Sequence, residues 1–576
     1  MQHPIGDHAL LADGRTAALV DPDGNVAWLC WPRIDSTPCL LSLLDDVLGG
    51  MFVVAPVDPA AVVVERDYAD GTLLLRTVWR IGAAELTILD GLAWDGAPRL
   101  VRSLRARGSV DVVARVALAP DAAREVSHPR VDGEVLRIAA TGLDVVLRAP
   151  GTWVIDGRGV AESRFTVDSV ECAVVFCDAG ATDVEPSLDG TRARFAATVP
   201  GAARVTPNQM ASSTLGESTA RRLVRQSAAV LTGLHQRGGG IVAAPTTSIP
   251  QWPGSGRTWD YRYSWLRDTA LAGLGMLRAG LTDDAAGLGD FLGAATATLP
   301  RPVLLRVDGT APPPERTLDH LRGHRGARPV RIGNAASDQP QLDVAGEVLE
   351  FAAALAGRDV LPRSLREGVV LVADWTAGNW TQPDHGIWEI RGAPRRYTHS
   401  RVMAWAGLTQ TVGLARRSAV HGSEERWRAA ADAIRADVLR GSGALTLHAD
   451  GGGPDAALAQ AALFGMLAPG DPRMVATLDD IVAALDRDGL IDRYEGQPDQ
   501  LGDRCGPFLF PTFWVAQALQ MCGRDGSRNF AAAAAARGPL GLFAEVADPD
   551  DHSPLGNYPQ VQSHSAFVLA ALDPAT

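Results

Sequence analysis

The stretch QLDVAGEVLEFAAALAG, residues 341–357, sets Leu342, Ala345, Val348, Leu349, Ala352 and Leu355 three or four positions apart. Apolar residues at that spacing share one face of an α-helix, so the stretch predicts an amphipathic helix. The period returns on both sides of it. STARRLVRQSAAVLTGL (218–234), RDTALAGLGMLRAG (267–280), DDAAGLGDFLGAATATL (283–299) and THSRVMAWAGLTQTVGLARRSAV (398–420) carry it. RWRAAADAIRADVLR (426–440), AALAQAALFGML (456–467), MVATLDDIVAAL (474–485), FPTFWVAQALQM (510–521) and SHSAFVLAALD (563–573) continue the series. Roughly a dozen helices suffice for six helical hairpins closed into an (α/α)6 barrel, although an open helical solenoid has the same periodicity.

Upstream the pattern changes. TAALVD (16–21), VAWLC (26–30), GMFVVAP (50–56), AELTILDGLAW (84–94), VDVVARVALAP (110–120), ECAVVFCD (171–178) and ARFAATV (193–199) are short apolar runs between Gly, Asp and Pro. Such runs predict an N-terminal antiparallel β-sandwich. NQMASSTLGES (208–218) is small and polar and reads as a linker. The predicted organisation is a β-sandwich over 1–205, a linker over 206–220 and a helical barrel over 221–576.

The chain has 576 residues, 46% of them hydrophobic, and a net charge of −13. It contains no lysine, so every strong cation is an arginine. No basic field is available to attract nucleic acid or anionic lipid. Cys30, Cys39, Cys172, Cys177, Cys505 and Cys522 form no CxxC pair, and no HExxH, EF-hand loop, P-loop or GxSxG elbow occurs. No cofactor or metal is therefore expected. The N-terminus MQHPIGDHALLADG lacks the basic and apolar regions of a leader, and no stretch approaches 18 apolar residues. The expectation is a soluble, cytoplasmic protein with no membrane partner.

Four segments could carry chemistry. RTWDYRYSWLRD (257–268) concentrates aromatic residues, arginines and aspartates. Aromatic faces stack on sugar rings, and Asp and Arg grip vicinal hydroxyls. In DHGIWEIRG (384–392), Glu389 follows Trp388, and an indole beside a carboxyl favours its neutral form, as a general acid requires. Arg391 is the alternative partner that would make Glu389 an ordinary surface residue. LFAEVADP (542–549) holds Glu545, which by its neighbours alone reads as a strand-end or helix-end charge. The fourth, DRY (492–494), offers Arg493 to sugar hydroxyls.

Together these segments resemble glycoside hydrolase family 15, which comprises glucoamylases, glucodextranases and bacterial trehalases. The resemblance runs nearly end to end, through IGDHALLADGRTAALVDPDGNVAWLCWPRIDS, WDYRYSWLRD, GARPVRIGNAASDQPQLDVAGEVL, PDHGIWEIRGAPRRYTHSRVMAW and LFAEVADP…LGNYPQVQSH in that order. It implies Glu389 as general acid and Glu545 as general base of an inverting mechanism. It further implies that Tyr261 helps hold the attacking water, that Arg267, Asp268 and Arg493 bind sugar hydroxyls with Trp265 packing nearby, and that Gln341 and Asp343 line the pocket; Trp388, Arg391 and His399 are further substrate-binding candidates from their own segments. Departures from the family pattern fall at His385, Arg401, Thr409-Gln410 and Cys505-Gly506-Pro507-Phe508, where relatives tend to read EGxF at the last. The expected reaction is release of β-glucose from the non-reducing end of maltose- or isomaltose-type oligosaccharides, with trehalose hydrolysis as the alternative. A glycoside phosphorylase is disfavoured by Glu545, and a non-catalytic sugar-binding protein by both carboxyls.

Overall fold

The computed structural model describes residues 2–69, 71–94, 98–181, 188, 189, 192, 206–297, 302–495 and 504–573. The expected strand at 193–199 and the last two residues of the expected helix at 283–299 lie outside them.

The N-terminal region is built of antiparallel sheets. A meander of four strands, Ala9–Ala12, Ala17–Val20, Val26–Cys30 and Pro38–Leu40, comes first. A second four-stranded sheet runs in the order Trp153–Ile155, Ala161–Val167, Val110–Ala117, Met51–Pro56. It packs on an eight-stranded sheet that includes Ala84–Trp94 and Pro98–Arg107. Alternation explains the packing: along Val110–Ala117, Val112, Ala114 and Val116 are buried while Asp111 and Arg115 face out.

The second region is a closed ring of helical hairpins. The helices are α1 (Gln209–Leu215), α2 (Glu217–Leu234), α3 (Leu266–Arg278), α4 (Thr282–Thr296), α5 (Asp343–Ala356), α6 (Arg363–Asn379) and α7 (Thr398–Arg416). They continue as α8 (Glu424–Val438), α9 (Gln460–Leu463), α10 (Pro472–Leu485), α11 (Leu509–Met521), α12 (Ser527–Ala535) and α13 (Val561–Ala571). Helices α3, α5, α7, α9, α11 and α13 are inner, and each packs on its inner neighbours; α13 returns to α3 and closes the ring. The outer partners are α4, α6, α8, α10, α12 and, for α13, α2. This contact pattern decides for a barrel over a solenoid. Helices α11 and α13 are buried nearly all round, as helices inside a barrel must be.

Two expectations change. Within 208–218, where the sequence reads as a linker, residues 209–215 are helical and the next helix starts at 217. The Asn208 side chain accepts the Ala211 N–H (3.0 Å) to cap α1, and Gly216 at φ +77° turns the chain straight into α2. Small polar residues there serve as caps and a turn. The stretch 456–467 is not one helix. It is a 3₁₀ turn, Ala456–Ala459, then the single turn α9, ended by Gly465 at φ +77°.

The two regions meet at a polar seam. Trp28 Nε1 donates to the Pro245 carbonyl (2.8 Å), and His324 Nδ1 bonds the Leu43 carbonyl (2.9 Å). Asp35 pairs with Arg33 and Arg306. Asp260 binds Arg262 twice (2.9 and 2.7 Å), and Arg262 Nη1 reaches the Ser36 carbonyl (2.7 Å).

Inside the ring, α5 and α7 approach closely at Gly346 and Gly407. A Cβ on Gly346 would lie 2.1 Å from the Met403 carbonyl oxygen, and one on Gly407 2.8 Å from that of Gly346. Backbone occupies that space, so Gly346→Ala is expected to force the helices apart and to cost about 1–3 kcal/mol. A thermal midpoint equal to the parent's contradicts this reading.

Candidate active site

The segment 257–262 runs extended, and its period of two sorts its side chains. Arg257, Trp259 and Tyr261 line a pocket at one end of the barrel, whereas Asp260 and Arg262 point into the seam. The pocket encloses about 770 Å³, part of it open to solvent. Trp265, Arg267 and Asp268 from the start of α3 continue its wall, and Trp388, Glu389, Arg391, Arg493 and Glu545 complete it. All lining residues lie between Ala243 and Gln562, so among the described residues the N-terminal sheets contribute none.

Glu545 is 1% exposed. Its Oε1 accepts the Tyr261 hydroxyl (2.5 Å) and Gln251 Nε2 (2.9 Å). Its Oε2 is buried and has no hydrogen-bond partner among the described residues. Burial raises the carboxyl to about 7, although the bonds from Tyr261 and Gln251 and the charge of Arg493 pull it down. Gly556 packs against this carboxyl; a Cβ there would come 2.7 Å from Oε2.

Glu389 sits differently. It lies in a loop between α6 and α7, at φ +54°, with its side chain 22% exposed. The loop is clasped by paired backbone bonds between Asp384 and Arg395, and His385 Nδ1 bonds the Ile390 carbonyl (2.8 Å). Three donors converge on Glu389 Oε1: Trp265 Nε1 (2.7 Å), Arg267 Nη2 (3.0 Å) and Gln341 Nε2 (3.2 Å). The indole that reaches this carboxyl is therefore Trp265. Trp388 instead donates to Asp455 (2.9 Å) and stacks on Phe510 (5.8 Å). Tyr261 and Trp265 meet edge to face (5.6 Å), so one aromatic pair links the supports of both glutamates.

Arg267 is a buried cation ringed by carboxylates. It bonds Gln341 (2.7 Å) and lies 3.4 Å from Asp343 and 3.6 Å from Asp268. Burial opposes its charge, but Asp343, Asp268, Glu389 and Glu347 more than offset that and raise its pKa. Burial lifts Asp268 to about 7 and pushes Glu347 well above its ordinary value.

Of the sequence candidates, Tyr261, Trp265, Arg267, Asp268, Trp388, Arg391, Arg493, Glu389 and Glu545 converge on the pocket. Gln341 and Asp343 stand behind it, holding Arg267. His399 is not in the lining; it is buried in α7 and bonded to Gln460 (2.5 Å), because inner-helix side chains below the rim face their neighbours. Arg391 pairs with Glu315 (3.1 and 2.7 Å) and lies over Trp259 (4.1 Å), so it does not neutralise Glu389. The tip of the CWPRIDS loop, Arg33 and Asp35, stays at the seam. Gln251, Trp259, Asp455, Gln560 and Gln562 escaped the sequence reading. Only Trp259 had a signal there, the alternation along 257–262.

Comparison with known proteins bears directly on this pocket. The profile for "Glycosyl hydrolases family 15" matches residues 218–572, and that for "Trehalase-like, N-terminal" matches residues 1–198. The chain belongs to glycoside hydrolase family 15. It is a glycoside hydrolase. A trehalase of Mycobacterium tuberculosis is 32% identical over 99% of this chain and 89% of its own length. Trehalase 2 of Sulfolobus acidocaldarius is 28% identical over 98% and 99%. The crystal structure of a bacterial glucoamylase complexed with acarbose shares the fold, with a TM-score of 0.70 at 15% identity, covering 99% of this chain and 95% of that one.

In this family 15 chain the carboxylates around Arg267 predict a charge-dependent defect. Arg267→Met leaves Asp343, Asp268 and Glu347 buried without their counter-charge, at a cost of about 3–5 kcal/mol. Burial already raises Asp268 and Glu347 against the pull of Arg267; losing that charge raises both further, so the penalty is full at high pH and shrinks as pH falls and they protonate. Thermal melts from pH 5 to 8 test this; a defect independent of pH contradicts it.

Proposed function

We propose that the protein is an inverting, exo-acting α-glucoside hydrolase whose substrate is trehalose, with Glu389 as general acid and Glu545 as general base. The observation that carries the chemistry is the unequal placement of two glutamates in one pocket. Glu545 is fully buried, fixed through Oε1, and presents an unpartnered Oε2. A carboxylate so held can take a proton from a water, and a value near 7 suits a base at neutral pH. Glu389 has its three donors on Oε1, which leaves Oε2 to carry a proton to the glycosidic oxygen.

The reaction is then one displacement. Water loses a proton to Glu545, and its oxygen bonds the anomeric carbon. The bond to the leaving oxygen breaks on the opposite face, and that oxygen takes the proton of Glu389. In this reading Asp268 and Arg267, both in the pocket lining, hold hydroxyls of the glucose being transferred, and Tyr261, bonded to Glu545, keeps it oriented. Phosphorolysis needs phosphate in place of the water and its base, so Glu545 disfavours it.

Trehalose is chosen over maltose- or isomaltose-type ends because the full-length relatives are trehalases and the N-terminal region matches a trehalase-like profile. Both readings use the same carboxyls and differ only in how the second sugar is held.

Glu389→Gln and Glu545→Gln are each expected to lower kcat by about 10²–10⁴-fold with unchanged circular dichroism, the range for losing a general acid or base. Undiminished turnover by either variant removes its assignment. The pH profile of kcat/KM should lose activity as pH falls through about 7, where Glu545 protonates.

Product anomers followed by NMR test the stereochemistry. Inversion of trehalose releases one β-glucose and one α-glucose per turnover, because the leaving sugar keeps its configuration; α-glucose alone at early times contradicts it. In a panel of trehalose, maltose, isomaltose and short dextrins, faster hydrolysis of a dextrin end returns the enzyme to the second reading.

A further inference from the structure

Cys505 lies next to the pocket without lining it. Its Sγ is 3.4 Å from Gln251 Oε1, and the same amide donates through Nε2 to Glu545 (2.9 Å). The neighbouring backbone is docked on the same residue, since the Gly506 N–H donates to the Gln251 carbonyl (3.1 Å). On its other side this segment meets the strand that follows Glu545. A Cβ on Gly506 would lie 2.6 Å from the Ala547 carbonyl oxygen, and the Ala547 N–H donates to Pro507 (3.1 Å). Residues 505–507 therefore bridge the Gln251 loop and the Glu545 strand.

An amide side chain has two nearly isosteric orientations, and its partners select one. With Oε1 turned to Cys505, Nε2 faces Glu545 and donates. In the reverse orientation two oxygens face each other, and Glu545 loses a donor. We propose that Cys505 is a positioning residue for the hydrolysis: its S–H fixes the orientation of Gln251, which holds Glu545 ready to accept a proton. A thiol can do this only while protonated, and burial raises the Cys505 thiol to about 11. The proposal rests on the reading of Glu545 as base.

Titratable or charged groups facing Glu545 are Tyr261, Arg493, Glu389, Asp268 and Cys505, with the Gln251 amide beside them. Removing the Gln251 donor strengthens the share of burial, so Glu545 should protonate at higher pH.

The test compares Cys505→Ala, Cys505→Val and Cys505→Ser with the parent, following kcat, KM and the pH profile of hydrolysis on whichever glucoside the parent cleaves fastest. In Ala and Val the acidic limb of kcat/KM should move up by about 0.5–1 pH unit, and kcat should fall on the order of 3–10-fold, as expected for one lost bond to a charged group. KM should change little, and Ser, which keeps a donor, should move back toward the parent. Glu545→Gln is run beside them. If it keeps full activity, the base assignment fails and the proposal with it. If it is inactive while the limb stays put in any folded Ala or Val variant, the base stands and the role of Cys505 is overturned. Should Ala fail to fold, Val fills the same volume without a donor and decides the question.

Discussion

Arg262 and Asp260 form the contact on which the pocket depends. Both are buried, and the guanidinium is held by two bonds to Asp260, by the Ser36 carbonyl and by the Trp28 ring at 5.9 Å. A buried ion pair repays its desolvation only when its remaining hydrogen bonds are met; here the Ser36 carbonyl and Cys30 Sγ of the N-terminal region accept from Arg262, and the Gly333 N–H donates to Asp260. Because these residues alternate with Trp259 and Tyr261 along one extended segment, fixing one edge fixes the other. Removal of either charge would leave its partner stranded beneath the aromatic wall.

A second buried cation does comparable work inside the barrel. Arg267 concentrates Asp268, Asp343 and Glu389 within 3.6 Å. Each of these carboxyls would be costly in a dry interior without it. The arrangement keeps polar groups at fixed angles along the pocket wall, so they are preorganised rather than free to turn. The aromatic pair Tyr261–Trp265 then transmits position between the two glutamates.

The ring of helices was legible where a 3.6-residue period survives, as in α2 and α8, whereas α6 and α12 were not among the expected helices and α11 and α13 are apolar nearly all round. It failed at 456–467, where Asp455 and Gly465 confine regular helix to one turn, and at 208–218, where caps resemble linker residues. At the site, local reading singled out Glu389 for its neighbour Trp388, yet the indole that binds it stands 124 residues away at Trp265. Glu545 was recognisable only by resemblance, since its partner Gln251 lies 294 residues distant. Pairings across such separations are set by barrel closure and leave no trace in spacing.

Among the described residues the N-terminal sheets line none of the pocket, and this separates two kinds of constraint. Residues that line the pocket sit on barrel loops and helix ends, while groups that brace them sit on the other side of the seam. The N-terminal sheets are the foundation beneath those loops. The foundation is bound by a different demand: it must keep offering the same few carbonyls and carboxylates to the same arginines.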